Sequence, residues 1–186
     1  TGFKNVELSE LGKEEANKAG QNFKNLGLRF DIVFTSELKR AQDTAKIILE
    51  NLEQWNLLNS ENKIIKNINL NERDYGDLTG LNKKETAEKF GDDQVHKWRR
   101  GYSDQPPNGE SLEDVVNRVK IYFDNEIMPA INKSENNNIL IAAHGNSLRA
   151  LLIVMNIYSS DNINSVELST GVPIHILYEN ETFSIK

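Results

Sequence analysis

A three-layer α/β/α fold around a mostly parallel central sheet is what this sequence predicts, and three observations predict it. Short apolar runs alternate with stretches of helical periodicity along the chain. The run Ile139-Leu140-Ile141-Ala142-Ala143-His144-Gly145-Asn146-Ser147-Leu148-Arg149 passes from an apolar strand through a His-Gly-Asn turn into an amphipathic helix. At 186 residues, 38% hydrophobic and 27% charged, the chain is long enough to cover both faces of such a sheet within one domain, 1–186.

The elements follow in order. Ser9 caps a helix whose apolar face reads Leu11, Ala16, Ala19, Phe23 and Leu26, and Gly27 stops it. Phe30 to Thr35 is a buried strand, and helical periodicity returns from Leu38 to Leu52 through Ala41, Ala45 and Ile48. Ile64 to Leu70 is a second strand, interrupted by Lys and Asn. Residues 71–81 carry glycines and polar groups and read as loop, with helices at about 83–90 and 93–100. Tyr102 to Ser111, holding Pro106-Pro107 and Gly109, is a rigid connection. Glu113 to Ile131 is a long helix that Pro129 ends or kinks. The strand before His144, its helix to about Asn156, and strands within 173–178 and 183–185 complete the chain.

Composition narrows the function classes. A net charge of −6 argues against broad nucleic-acid or membrane affinity, while leaving room for a local basic pocket. The absence of cysteine excludes a disulfide framework and thiolate metal sites, and it suits a reducing cytoplasm. No apolar run reaches membrane-spanning length, and the first residues carry no secretory pattern.

Three segments carry chemistry. In open α/β sheets, ligands bind beyond the carboxyl ends of the strands, where the amides of the next helix favour an anion. His144 stands there; the same residues also read as a plain turn with Ser147 as N-cap. Lys39-Arg40 opens the helix after strand 30–35, against the helix dipole unless an anion is nearby. Trp98-Arg99-Arg100 ends another helix, where cations are structurally expected but also able to fork onto carboxylate or phosphate. The loop from Leu70 to Lys83 adds Glu72, Arg73, Tyr75 and Lys83 between glycines. A carboxylate held there can act as general acid and base, and a solvated loop has the same composition.

Taken together, these segments resemble the cofactor-dependent phosphoglycerate mutases, a branch of the histidine phosphatase superfamily. The match rests on Thr1-Gly2, Thr35 to Arg40, Leu70-Asn71-Glu72-Arg73, Tyr75-Gly76, Gly80-Leu81-Asn82-Lys83, Trp98-Arg99-Arg100, Gly109-Glu110-Ser111-Leu112, Ala142 to Arg149 and Thr170-Gly171-Val172-Pro173, in that order. The compact stretch from Arg100 to Gly109 looks like a shorter bacterial form. The resemblance implies interconversion of 3-phosphoglycerate and 2-phosphoglycerate, primed by 2,3-bisphosphoglycerate, through a phosphohistidine and without a metal. It implies Glu72 and His144 as catalytic residues. Thr1, Gly2, Arg40, Arg73, Tyr75, Lys83, Arg99, Arg100, Gly145 and Asn146 would bind the substrate. It implies small anionic phosphoglycerates as partners, no nucleic acid or membrane, a cytoplasmic location and, as in many family members, a homo-oligomer. A histidine-type phosphatase and a non-catalytic anion-binding relative are the competing readings.

One departure shapes the expectation for this chain. Family members begin with a strand ending in Arg-His-Gly, whose histidine carries the phosphoryl group, whereas this sequence starts at Thr1-Gly2. Of its three histidines, His144 matches the second catalytic one, while His96 and His175 lie in a helix and a terminal strand. The sequence thus reads as an N-terminally truncated fragment, expected to be inactive. The absent strand would pair beside the one leading to His144 and leave unpaired backbone groups behind.

Overall fold

Ser9 caps the first helix as its position predicts, its hydroxyl accepting from the Gly12 amide at 3.1 Å and opening α1 (Glu10–Asn25). The structure, a computed structural model, describes residues 2–133 and 138–186. Along it follow β1 (Ile32–Thr35), α2 (Lys39–Asn51), α3 (Trp55–Ser60), β2 (Ile64–Lys66), α4 (Lys83–Phe90), α5 (Asp92–Arg100), α6 (Leu112–Tyr122), α7 (Met128–Lys133), β3 (Ile139–Ala142), α8 (Gly145–Val154), β4 (Ile176–Glu179) and β5 (Thr182–Ile185).

β1 lies at the centre of a parallel sheet ordered β2-β1-β3, with Val33 opposite Ile64 on one side and Leu140 on the other. Successive side chains of a strand point to opposite faces, and both Val33 and Phe34 are fully buried. Val33 packs with Ala19 of α1 and with Ala45, Ile48 and Leu49 of α2. Phe34 packs with Val115, Val119 and Tyr122 of α6 and with Ala150 and Leu151 of α8. Helices on both faces make the three-layer α/β/α arrangement that the alternating pattern predicts.

Several details depart from the sequence reading. Leu11 and Leu26 are 63% and 72% exposed, because α1 meets α2 through its small residues Ala16, Ala19 and Gly20. A Cβ on Gly20 would stand 2.8 Å from Asn51 Cβ, so the two helices approach too closely for flanking leucines to reach the core. The second strand stops at Lys66. The Asn67 side chain accepts from the Asn69 amide at 2.9 Å and turns the chain into a short 3₁₀ segment, Ile68–Leu70. α3 has no counterpart in the sequence reading.

The long helix after Ser111 starts on a reciprocal capping box with Asp114 and widens into a π turn at Phe123–Ile127 before α7. Pro129 has no amide to donate and crowds the carbonyl four residues back; the wider turn accommodates it. β4 and β5 form an antiparallel sheet of their own, and among the described residues β3 pairs with β1 alone. The N-cap of α8 is His144, with Ser147 three positions further on, and not Ser147 itself. Among the described residues, no helix is long and apolar enough to cross a membrane.

Candidate active site

The carboxyl ends of β1 and β3 are fastened to each other before any functional side chain is placed. Thr35 Oγ1 donates to the Ala142 carbonyl at 2.8 Å, and one residue later Ser36 Oγ shares a 2.7 Å hydrogen bond with His144 Nε2. Ser36 Oγ also accepts from the Leu38 amide at 3.1 Å, which ties it to the entry of α2. The His144 amide donates to Ser147 Oγ at 3.1 Å and fixes the first turn of α8. The imidazole is 8% exposed, and its pKa is pushed down to about 3, first by burial and then by the charges of Arg40 and Arg118. At neutral pH the ring is uncharged and keeps one donor and one acceptor nitrogen.

Glu72 meets the same helix N-terminus from another direction. Its Oε1 accepts from the Arg73 amide at 2.7 Å and from the Asn146 amide at 3.2 Å. The carboxylate therefore sits against the positive end of α8, where a negative charge is favoured. A Cβ on Gly145 would stand 3.8 Å from Glu72 Oε2, which places Glu72 within one residue of His144 along α8. Asn146 Nδ2 donates to the Tyr75 hydroxyl at 3.2 Å. Gly2, at φ +48°, brings its backbone up to Tyr75 and the Arg73 carbonyl, and a Cβ there would lie 3.2 Å from Tyr75 Cδ2.

Arg40, in the first turn of α2, donates to the Lys4 carbonyl at 2.9 Å and to the Gly2 carbonyl at 3.0 Å, holding the segment at residues 2–4 over the strand ends. Burial draws its pKa down, and the nearby Glu72 charge opposes that shift. Beside these groups opens a cleft of about 350 Å³, lined by Gly2, Lys4, Glu72, Tyr75, Thr86 and Arg99 among others. Its lining joins the Glu72 loop to α4 and α5.

Not every residue singled out in the sequence reaches this cleft. Arg73 is only 1% exposed, and its guanidinium donates to the Trp98 carbonyl at 3.0 Å and the Arg99 carbonyl at 3.5 Å while lying 4.6 Å from the Tyr75 ring centroid. Both of these bonds come from Nη2, and Arg73 Nε is left without a partner among the described residues. His144, Arg40, Gly145 and Asn146 stand beside the cleft and not in its lining, and Arg100 is outside it too, exposed and close enough to lower the pKa of Arg149, which burial lowers first. Thr1 lies outside the described residues, and so does the side chain of Lys83, the first residue of α4. Sequence reasoning missed Ser36 and Arg149. Ser36 had one signal, its position directly after a buried strand. Arg149, with Nη1 3.3 Å from where a Gly145 Cβ would be and Nη2 donating to the Val166 carbonyl at 3.0 Å, had the helical spacing from Gly145. Among the described residues no group of acidic and histidine side chains is arranged to hold a metal ion.

A family model described as "Histidine phosphatase superfamily (branch 1)" matches residues 1–186. The chain is 52% identical over 179 residues to a 2,3-bisphosphoglycerate-dependent phosphoglycerate mutase of Bartonella bacilliformis, covering 96% of this chain and 82% of the relative. It is 50% identical over 174 residues to the mutase of the same name from Methylocella silvestris, covering 94% and 81%. Among solved structures, a mycobacterial hydrolase superposes with a TM-score of 0.81 at 19% identity, covering 100% of this chain and 88% of the other. An α-ribazole phosphatase from Shigella flexneri gives 0.77 at 22% identity, covering 100% and 85%. At such identities the structural likeness speaks for the fold.

Proposed function

The chain belongs to branch 1 of the histidine phosphatase superfamily, and from that premise we propose that its site interconverts 3-phosphoglycerate and 2-phosphoglycerate. The observation that carries the reading is the meeting of a carboxylate and a neutral histidine at one helix N-terminus. Glu72 accepts from the Asn146 amide one residue beyond Gly145, and His144 is held uncharged beside it. Relatives about half identical over most of the chain and named as mutases support the same reading.

Each residue has a task in this proposal. Glu72 takes the proton from the accepting hydroxyl of the substrate and returns it on reversal, a role that needs a carboxylate within reach of that hydroxyl. His144, uncharged, donates a hydrogen bond to the transferring phosphoryl group, with Ser36 fixing its ring through Nε2. Phosphoryl transfer depends on positioning and charge stabilisation. Arg40, Arg99 and Lys4, together with the free amide end of α8 at Gly145, supply positive potential inside a chain of net charge −6. Tyr75, Asn146 and Gly2 shape the wall, and Arg73 acts by anchoring Arg99 through its own backbone carbonyl. Thr1, Lys83, Arg100 and Gly145 stay in the proposed substrate-binding set on the resemblance alone.

The donor set suits a small polyanion, which is the fit that 2,3-bisphosphoglycerate requires. When bound, that molecule would supply the priming phosphoryl group to the nucleophilic histidine of the family's Arg-His-Gly motif, a motif these 186 residues do not contain. The proposed setting is the cytoplasm, with residues 1–186 belonging to a single domain.

The test is made on the full gene product, with every residue its gene encodes retained. Conversion of 3-phosphoglycerate to 2-phosphoglycerate is followed with and without 2,3-bisphosphoglycerate, alongside release of inorganic phosphate. Interconversion that depends on the bisphosphate is the expected result. Phosphate release without interconversion would assign the site to a phosphatase instead.

A further inference from the structure

Among the described residues Arg118 makes more hydrogen bonds than any other side chain near the cleft, each of them to Glu110 or to a main-chain carbonyl. It projects from α6, and its side chain is 17% exposed. Nε and Nη2 donate to the two oxygens of Glu110 at 2.8 and 3.0 Å. Nη1 donates to the Asn69 carbonyl at 2.6 Å, and Nη2 reaches the Asn71 carbonyl at 3.0 Å and the Glu72 carbonyl at 3.2 Å. The same Glu110 carboxylate accepts from the Asp74 amide at 2.9 Å, while the Glu110 amide donates to the Asp74 carbonyl at 2.8 Å. Arg118 and Glu110 thus hold the backbone on both sides of Glu72, at residues 69, 71, 72 and 74. Gly109 completes the seat, since a Cβ there would stand 2.8 Å from the Asp74 carbonyl oxygen and the Gly76 amide.

We propose that the Arg118–Glu110 pair is the positioning device for the Glu72 carboxylate, aiming it at the substrate hydroxyl by clamping the main chain from residue 69 to residue 74. This inference rests on the acid/base role given to Glu72 above. The chemistry favours arginine: five N–H groups in a rigid plane can serve a bidentate carboxylate and several carbonyls at once, which a single ammonium cannot. Displacing a catalytic group by about 1 Å can cost on the order of 10²-fold in rate. Arg118 and Glu110 are absent from the cleft lining, and every bond of the clamp goes to protein, so its loss should act on turnover and leave binding of the anion nearly untouched.

The experiment compares Arg118→Lys, Arg118→Met and Glu110→Gln in the full gene product. Arg118→Lys keeps the positive charge near His144 and removes the planar fork. It is expected to lower kcat by about 10- to 100-fold with KM for 3-phosphoglycerate changed less than about threefold. Glu110→Gln, which keeps the shape and weakens both ends of the bridge, should show a smaller loss in the same direction. Amide hydrogen exchange at Arg73, Asp74 and Asn146 is measured on the same proteins, and those amides should lose protection while amides of α2 and β1 keep theirs. A folded Arg118→Lys protein with kcat within twofold of the parent, or one that loses KM and kcat in equal measure, would overturn the proposal. If Arg118 variants do not fold, Glu110→Gln decides it by the same two readouts. If the parent itself does not interconvert phosphoglycerates, the functional reading falls. The exchange data then judge the clamp separately, and unchanged protection at Arg73 and Asp74 would sink it.

Discussion

The two walls of the cleft are built on opposite terms. On the Glu72 side, nearly every polar group already has a protein partner: Glu72 on two amides, Asn146 on Tyr75, and Arg118 on Glu110 and three carbonyls. On the α4–α5 side, Arg99 is exposed and forms no ion pair among the described residues. That pair of helices is stitched internally by Phe90 against Trp98, with ring centroids 5.3 Å apart, and joined to the other wall by the Arg73 guanidinium. Acid/base chemistry gains from a group held still before substrate arrives. Anion capture gains from cations whose hydrogen-bonding capacity is still free. The difference between the walls is therefore a division of labour between placing a proton acceptor and gripping charge.

The largest expected effect comes from the satisfied wall. Glu72→Gln keeps the shape and an acceptor for the Asn146 amide but removes the base, so turnover should fall by about 10²–10⁴-fold. KM should change little, because the carboxylate contributes nothing to attracting an anion. Steady-state and single-turnover kinetics check this together. A raised KM with intact phosphoryl transfer would make Glu72 a binding residue and erase the contrast between the walls.

Arg99→Ala tests the opposite wall. A charge-assisted hydrogen bond contributes about 1.5–3 kcal/mol. Losing one at Arg99 should therefore lower kcat/KM by about 10- to 100-fold, much of it through KM. The defect should shrink as salt rises, because screening weakens the parent's additional attraction while the variant has less of it to lose. Should Arg99→Ala lower kcat alone, α5 would belong with the positioning wall.

Much of this arrangement was legible in the sequence. The Ser9 cap, the α2 periodicity, and the strand–turn–helix unit at His144 each depend on neighbours within a few residues, and each appears where the pattern puts it. Glu72, Tyr75, Asn146, Gly2 and Arg40 also come together. What stayed hidden depends on distant partners. Ser36 bonds His144 across 108 residues, and Arg118 binds carbonyls 46 to 49 residues away, which no side-chain pattern encodes. Arg118 reads simply as a cation inside a long helix. Arg73 shows the other side of this: its type suggested a ligand, and the fold buries it beside Tyr75 with Nη2 on the backbone of α5, a contact its sequence neighbours do not announce. α3 is six residues long, too short for periodicity to register.

The buried histidine gives a prediction readable in stability. Its folded pKa of about 3 lies below the ordinary value of 6.5, so between those limits the unfolded chain binds a proton that the folded chain does not. Stability from this group is complete above the unfolded pKa and declines as pH falls toward 3, by up to about 1.4 kcal/mol per pH unit in mid-window. Carboxylates titrate in the same range, and comparison with His144→Asn isolates the imidazole. Urea unfolding at pH 7, 5.5 and 4.5 should show the parent losing stability more steeply than the variant. Parallel slopes would mean that the ring protonates without penalty and is not held neutral beside Glu72.

The smallest effect separates stiffness of the satisfied wall from stability of its scaffold. Ser111 caps α6 one residue after Glu110, accepting from the Asp114 amide at 3.1 Å and donating from its own amide to the Asp114 carboxylate at 2.8 Å. Ser111→Ala removes the hydroxyl half of that box, a change worth about 1 kcal/mol. For a chain of this size that corresponds to a drop of about 2–4 °C in Tm. The bond from the Ser111 amide to the Asp114 carboxylate survives, and so does every bond of Arg118. If Glu72 is aimed by the side-chain fork and the backbone it holds, kcat should stay within about twofold of the parent despite the lower Tm. Thermal unfolding and steady-state kinetics on one preparation make the comparison. A Ser111→Ala protein that lost tenfold in kcat at this modest destabilisation would show that Glu72 is placed by the overall firmness of α6, and the wall would owe its rigidity to the helix and not to the clamp.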